Sequence, residues 1–314
     1  MALERLGSSR PVWSLALGAS LCLLASGCSW LPWVGKDDDD EALRSVAALE
    51  PREDETVVVG SFADLRLQRI VSEETRLFSE FAQFPERYTD GEKARRVTAV
   101  ADRYQSFVSD NPDNVYALIL YGKLLRRVGD TEAANVLFLQ ADTLNPYLGV
   151  VKQQVGNYLF EGGNFVEALP WYLAAVELEP QEALYQYQTG ETLALARDEL
   201  LADGAYAPEA LDRAMFAAFE GAVELEPLRR EYRLRLAEAY FDASQPDWSE
   251  ALLLWAELEA TSTSEVERSV IQLQRARVLV AMGQLEEARR LALSVEPQPA
   301  LEQSRRQILQ ATGG

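Results

Sequence analysis

Histidine is absent from all 314 residues, and only two cysteines occur. The first absence removes the commonest general base, the Ser-His-Asp and Cys-His arrangements, and every metal site that uses an imidazole. Cys22 and Cys28 both fall within the first thirty residues, so the rest of the chain has no disulfide and must be held by packing alone. Cations are scarce as well. With 30 Lys and Arg against 50 Asp and Glu, the formal charge is −20, which argues against nucleic acid as a partner because that affinity comes mainly from cationic contacts to phosphate. The apolar run at residues 12–24 is too short to span a bilayer well. No Gly-rich phosphate loop and no Gly-x-Ser-x-Gly motif appears. Acidic neighbours such as Glu286-Glu287 do not face one another on a helix. Catalysis is not expected, and no cofactor or metal site is assigned.

What is present is a 34-residue pattern written twice, from Val115 to Pro180. The first copy carries Leu118, Tyr121-Gly122, Leu125, Gly129, Ala134, Phe138, Ala141 and Pro146; the second carries Val155-Gly156, Leu159, Gly163, Ala168, Tyr172, Ala175 and Pro180. Self-similarity at a fixed period signals stacked helical hairpins, none of which can bury its apolar stripe alone. In this reading Gly122 and Gly156 lie where two helices cross, and Ala134 and Ala168 give the same clearance from the second helix. Gly129-Asp130 and Gly163-Asn164 break the chain between helices, Gly by accepting positive φ and Asp or Asn by capping the next helix. Pro146 and Pro180 end the second helices.

These residues resemble the tetratricopeptide repeat, which places a small residue at the eighth position, Ala at the twentieth, an aromatic at the twenty-fourth and Pro near the end. The resemblance implies an all-α, right-handed superhelix of about five to six hairpins plus a C-terminal capping helix. Residues 61–112 read as a degenerate N-terminal hairpin: Ser61 is placed to cap a first helix, and Pro112 stands one period before Pro146. Residues 113–298 form the repeat domain and residues 299–314 the cap. After Pro180 the pattern resumes at Gly190 and Leu193 but is delayed by an insertion near Asp198–Pro208 before Phe219, Ala222 and Pro227. Weaker copies carry Ala237, Tyr240, Ala251 and Trp255, then Ala276, Leu279, Gly283, Ala288 and Ala292, the last copy beginning near Ser269. Trp255, Tyr240 and Phe219 are read as packing residues. The closing helix, about Ala300–Gln310, offers Glu302 to Gln307 as a polar outer face.

The amino terminus has its own signature. Arg5 and Arg10 precede the short apolar run, which ends in Ala25-Ser26-Gly27-Cys28. This resembles the lipobox of bacterial lipoprotein signal peptides, with Ala25 where Leu is more usual. It implies cleavage after residue 27 and acylation of Cys28, with several acyl chains giving stable membrane attachment. An ordinary secretory leader cut near the same place, or an uncleaved anchor, is the alternative. By resemblance to enterobacterial sorting, Ser29 directs such a protein to the outer membrane. Residues 28–60, with Asp37 to Asp40 and Glu53-Asp54-Glu55, read as an acidic tether kept extended by repulsion between like charges.

In the resembled family the first helices line a concave groove. Helix positions 2, 5, 9 and 12 then give Tyr116, Ile119, Lys123 and Arg126; Val150, Gln153, Asn157 and Phe160; and Leu184, Tyr187, Glu191 and Ala194. Apolar anchors beside side-chain amides suit an extended peptide or partner helix. Lys123, Arg126 and Arg127 form a basic corner in an acidic chain, expected either to receive a carboxylate of a partner or to balance local Asp and Glu. The carboxylate clamp of some cytosolic members is not matched, since Ile119 and Gln154 in one register, and Glu231 in the other, stand at its positions. The resulting expectation is a lipid-anchored envelope scaffold that binds proteins or peptides, with self-association possible; the alternative is an envelope enzyme or small-ligand receptor.

Overall fold

The computed structural model describes residues 61–202, 204 and 206–313. The expected leader at 1–27, the anchor Cys28 and the tether at 28–60 lie outside them. Among the described residues there are fourteen α-helices, one short 3₁₀ turn and no strand, and none of the helices is long and apolar enough to cross a membrane. The helices fall into two compact units divided between Ala196 and Arg197. The first unit holds α1 (Phe62–Gln83), α2 (Asp90–Asp110), α3 (Val115–Arg127), α4 (Thr131–Leu144), α5 (Gly149–Glu161), α6 (Phe165–Leu178) and α7 (Ala183–Leu195). The second holds α8 (Arg197–Ala202), α9 (Pro208–Leu225), α10 (Arg230–Ala239), α11 (Trp248–Ala260), α12 (Glu265–Ala281), α13 (Leu285–Ser294) and α14 (Glu302–Ala311). The division falls inside the span 113–298 and coincides with the start of the insertion, which supplies α8 and the loop before Pro208.

The two clear repeats show why their small residues are needed. A β-carbon built on Gly122 meets the Phe138 ring at 2.7 Å, and one on Gly156 meets the Tyr172 ring at 2.9 Å. Both contacts are closer than side chains pack, and the two pairs stand one period apart. Ala134, Ala141, Ala168 and Ala175 are buried beside these rings. The breaks repeat too. Gly129 has φ +88°, Gly163 φ +78° and Gly283 φ +75°, and the following N–H groups of Asp130, Asn164 and Gln284 each donate back to a carbonyl of the helix just ended. This is the glycine-ended helix terminus, open to residues that accept the left-handed region. Asp130 caps α4 through the Ala133 N–H, whereas Asn164, expected to cap α6, makes no such bond. Helices α4, α6 and α9 stop just before Pro146, Pro180 and Pro227.

The N-terminal hairpin keeps the period in one helix and loses it in the other. Val100, Tyr104 and Phe107 stand one period before Ala134, Phe138 and Ala141, and all are buried. Tyr88, one period before Gly122, lies between α1 and α2 instead of on a helix, because Pro85 opens a 3₁₀ turn after α1. The larger residues at 100 and 107 pack against Leu67, Ile70 and Leu77 of α1 and against Leu124 of α3. Ser61 and Asp64 form a reciprocal capping box on α1, as do Thr89 and Glu92 on α2.

In the second unit Trp255, Leu258, Ala237, Tyr240, Ile271 and Val278 share one core. Val270, Leu273, Ala292, Val295, Leu301 and Ile308 share another, which α14 closes. The last copy starts earlier than expected, at Glu265, because Ser264 caps it through the Glu267 N–H. Gln303 and Arg306 face outward as a terminal cap requires, but Ser304 is buried.

Glu179, just past α6, accepts the Gly149 N–H at 3.0 Å and so caps α5, whose preceding residue Leu148 has no side chain able to do it. Gly149 leaves the room: its β-carbon would sit 2.7 Å from the carboxylate oxygen. Burial raises the Glu179 pKa above the ordinary 4.5, with Glu182 adding to it and the Gly149, Tyr185 and Val150 hydrogen bonds opposing. A carboxyl held more protonated in the folded chain contributes stability that is complete below its ordinary pKa and lost as pH rises through the raised one. Glu179→Gln keeps the acceptor and drops the charge. Its melting temperature is expected to exceed the parent's at pH 7, with the gap closing as pH falls to about 4. A gap that does not change with pH would show that ionisation of Glu179 is not the cause.

Candidate functional site: the first-helix face of the first unit

Helices α3, α5 and α7 carry the residues assigned to a groove, and the structure sorts them by depth. Tyr116 is exposed; Lys123, Arg126, Leu184 and Glu191 are half-buried; Arg127 is at the surface. Ile119, Gln153, Asn157, Phe160 and Tyr187, also expected to line the groove, are instead buried. Ile119 packs with Leu118, Val151 and Val155 in the hairpin core. Phe160 lies edge-on to Phe165 at 5.0 Å and to Tyr172 at 6.3 Å, inside its own hairpin. A helix position fixes the direction of a side chain and not how closely the next helix approaches it.

The basic corner is engaged within the unit. Arg126 donates to the Gln154 side-chain oxygen at 2.8 Å and pairs with Glu161 at 2.9 Å. Its side chain is only 12% exposed. Arg127 stacks on Phe78 of α1, 3.8 Å from the ring centroid. Of the two readings of this corner, balance of local acids describes Arg126.

Behind it runs a row of buried amides. The Gln154 amide N–H donates to Gln153 at 2.6 Å. On the same helix, the Asn157 side-chain oxygen accepts from the Tyr172 hydroxyl of α6 at 2.8 Å and from the Gln188 amide of α7 at 3.0 Å. The Asn157 Nδ2 and Gln188 Oε1 atoms are buried and make no hydrogen bond. An unmet buried polar atom costs about 1–3 kcal/mol, so this donor and acceptor, on successive first helices, are the least satisfied groups of the face. Gln154 and Gln188 occupy the same position of consecutive copies. The recurrence of an amide one period on is the signal that would have identified them. Among the described residues no cluster of three or more His, Cys, Asp or Glu could hold a metal ion. The face offers hydrogen-bonding amides, an engaged arginine and a rim of Tyr116, Lys123, Leu184 and Glu191, which is binding chemistry.

No family model matches the chain, and no curated protein matches it in sequence. Solved structures do match. One is YrrB, described as a tetratricopeptide-repeat (TPR) protein with an unusual peptide-binding site; it superposes with a TM-score of 0.54 at 15% identity, over 68% of this chain and all of its own. Another is PilW, described as a widely conserved type IV pilus biogenesis factor, with a TM-score of 0.50 at 12% identity, over 80% of this chain and all of its own. Likeness at this level of identity concerns the fold alone. Together with the duplicated Gly122–Phe138 and Gly156–Tyr172 crossings, it establishes that the chain has the tetratricopeptide-repeat fold.

Proposed function

We propose that the protein is a noncatalytic scaffold that holds another polypeptide against the first-helix face of α3, α5 and α7, and that it does so in a bacterial cell envelope, tethered through acylated Cys28. The observation that carries the binding role is the row of side-chain amides along successive first helices, with Asn157 Nδ2 and Gln188 Oε1 left unmet. A polypeptide backbone supplies an acceptor and a donor in alternation, and a shift of neighbouring helices that opened the row would let it satisfy both. Peptide recognition of the kind ascribed to YrrB, and a part in pilus biogenesis of the kind ascribed to PilW, give this chemistry a setting. The lipobox at residues 25–28 supports the anchor, and Ser29 supports the outer membrane facing the periplasm.

A photo-crosslinking side chain placed at Leu184 or Tyr116 in cells is expected to trap a discrete protein partner. The same group at Leu253, an exposed residue on α11 of the second unit, is expected not to. Equal trapping at all three positions, or none at Leu184 and Tyr116, would remove the face as the binding site.

A further inference from the structure

Helix α1 presents an outward face unlike the rest of this acidic chain. Phe62 is 85% exposed and Leu65 57%. Arg69 and Arg76 follow at helical spacing on the same side, and both are exposed. The acids of α1 are occupied elsewhere. Asp64 closes the capping box with Ser61, Glu73 pairs with Arg103, Glu74 accepts the Tyr104 hydroxyl at 2.7 Å, and Glu80 pairs with Arg96 at 2.8 Å. Apart from the capping Asp64, every exposed side chain of α1 is apolar, neutral or arginine. No ion pair holds Arg69 or Arg76 among the described residues.

We propose that this face of α1 docks on an anionic phospholipid surface, with Phe62 and Leu65 at the acyl boundary and Arg69 and Arg76 among the phosphates. The proposal rests on the lipid-anchor reading for where the surface lies. Charge selects the occupant: in a chain of −20, the acids beside the arginine stripe of α1, Glu73 and Glu80, are already paired with Arg103 and Arg96, which leaves Arg69 and Arg76 as the charge this face offers to an anionic leaflet. Position agrees with charge. The face begins at the first described residues, and the chain from Cys28 to Ser61 reaches at most roughly 110–120 Å when fully extended, so α1 is, among the described helices, the one nearest to the anchor in sequence. Aromatic and aliphatic groups beside arginine are what a membrane interface takes up, and each basic group near an anionic surface adds to binding within a Debye length.

The test uses the chain from Ser29 to its end, which carries no acyl group, in flotation with vesicles of phosphatidylcholine alone or mixed with phosphatidylglycerol. Binding is expected only to the mixed vesicles, falling at least about tenfold in Arg69→Glu/Arg76→Glu and in Phe62→Ser/Leu65→Ser, and weakening as salt is raised. These positions are exposed, and far-ultraviolet circular dichroism of each variant checks that the helices persist. Equal binding to both vesicle types, binding unchanged by the charge reversal, or no binding to the mixed vesicles would each overturn the proposal. Fatty-acid labelling of the full chain, with and without Cys28→Ser, reports on the anchor separately. Unchanged labelling in that variant sinks the anchor and leaves the vesicle result to stand or fall alone.

Discussion

Valine at Gly122 is expected to destabilise the first unit by about 3 kcal/mol, at the upper end of what overpacking a core costs. The glycine has no β-carbon, and the one valine must add would lie 2.7 Å from the Phe138 ring, with two γ-methyls behind it. Phe138 cannot withdraw, since it is buried in the hairpin core beside Ala134 and Ala141. Replacing glycine within a helix ordinarily gains up to about 1 kcal/mol, so the sign of the outcome separates steric clash from helix propensity. Gly156→Val should behave alike, its β-carbon 2.9 Å from the Tyr172 ring. That change also pushes on the hydroxyl that donates to Asn157, so its effect should reach the amide row as well as the core. Hydrogen exchange at amides of α3 to α6 measures both. Trimming the opposed ring in the same chain, Gly122→Ala with Phe138→Leu, should cost less than the two single changes added together. Additive losses would mean that the pair does not form the crossing.

The same crossing explains how much could be read from the sequence. A glycine on one helix and a small residue on the next, repeated one period later, read as two helices in close approach, and the hairpins follow from it; that Phe138 and Tyr172 fill the clearance came from the structure. The prolines after α4, α6 and α9 and the glycines at 129, 163 and 283 were legible for the same reason, being single residues whose backbone preference dictates a stop or a turn. The site was less legible because its geometry depends on distances between helices. Arg126 and Glu161 lie near the ends of successive first helices, and only their approach to 2.9 Å shows that the charge is taken. Arg127 meets Phe78 of α1, the helix of the N-terminal hairpin that departs from the period, where counting positions cannot help. Gln153, Asn157 and Tyr187 lie at a depth that helix position alone does not convey.

The insertion at the head of the second unit is where the sequence said least, and there the second large effect is expected: Asp212→Ala should cost about 3–5 kcal/mol. Arg197 and Asp212 are 5% and 8% exposed, and their side chains meet at 2.5 Å. The Ser244 hydroxyl accepts from Arg197 at 2.6 Å while the Ser244 N–H donates to Asp212 at 2.8 Å. Three segments, α8, α9 and the loop after α10, are thereby fixed to one another. The arrangement is not ideal, because Nε and Nη1 of Arg197 are buried without a partner. Removing the carboxylate leaves the whole guanidinium charge buried and uncompensated, which is far more costly than the pair is stabilising. Replacing both residues by apolar ones of similar size, Arg197→Met with Asp212→Leu, abolishes the charge and the orphaned donors together. That double variant is expected to be at least as stable as the parent. Urea unfolding of the three proteins, followed by hydrogen exchange in α9 and α10, decides the matter. A double variant as weak as Asp212→Ala would mean that the ion pair is a net source of stability, and a small loss in Asp212→Ala alone would mean that Arg197 finds water when its partner is gone.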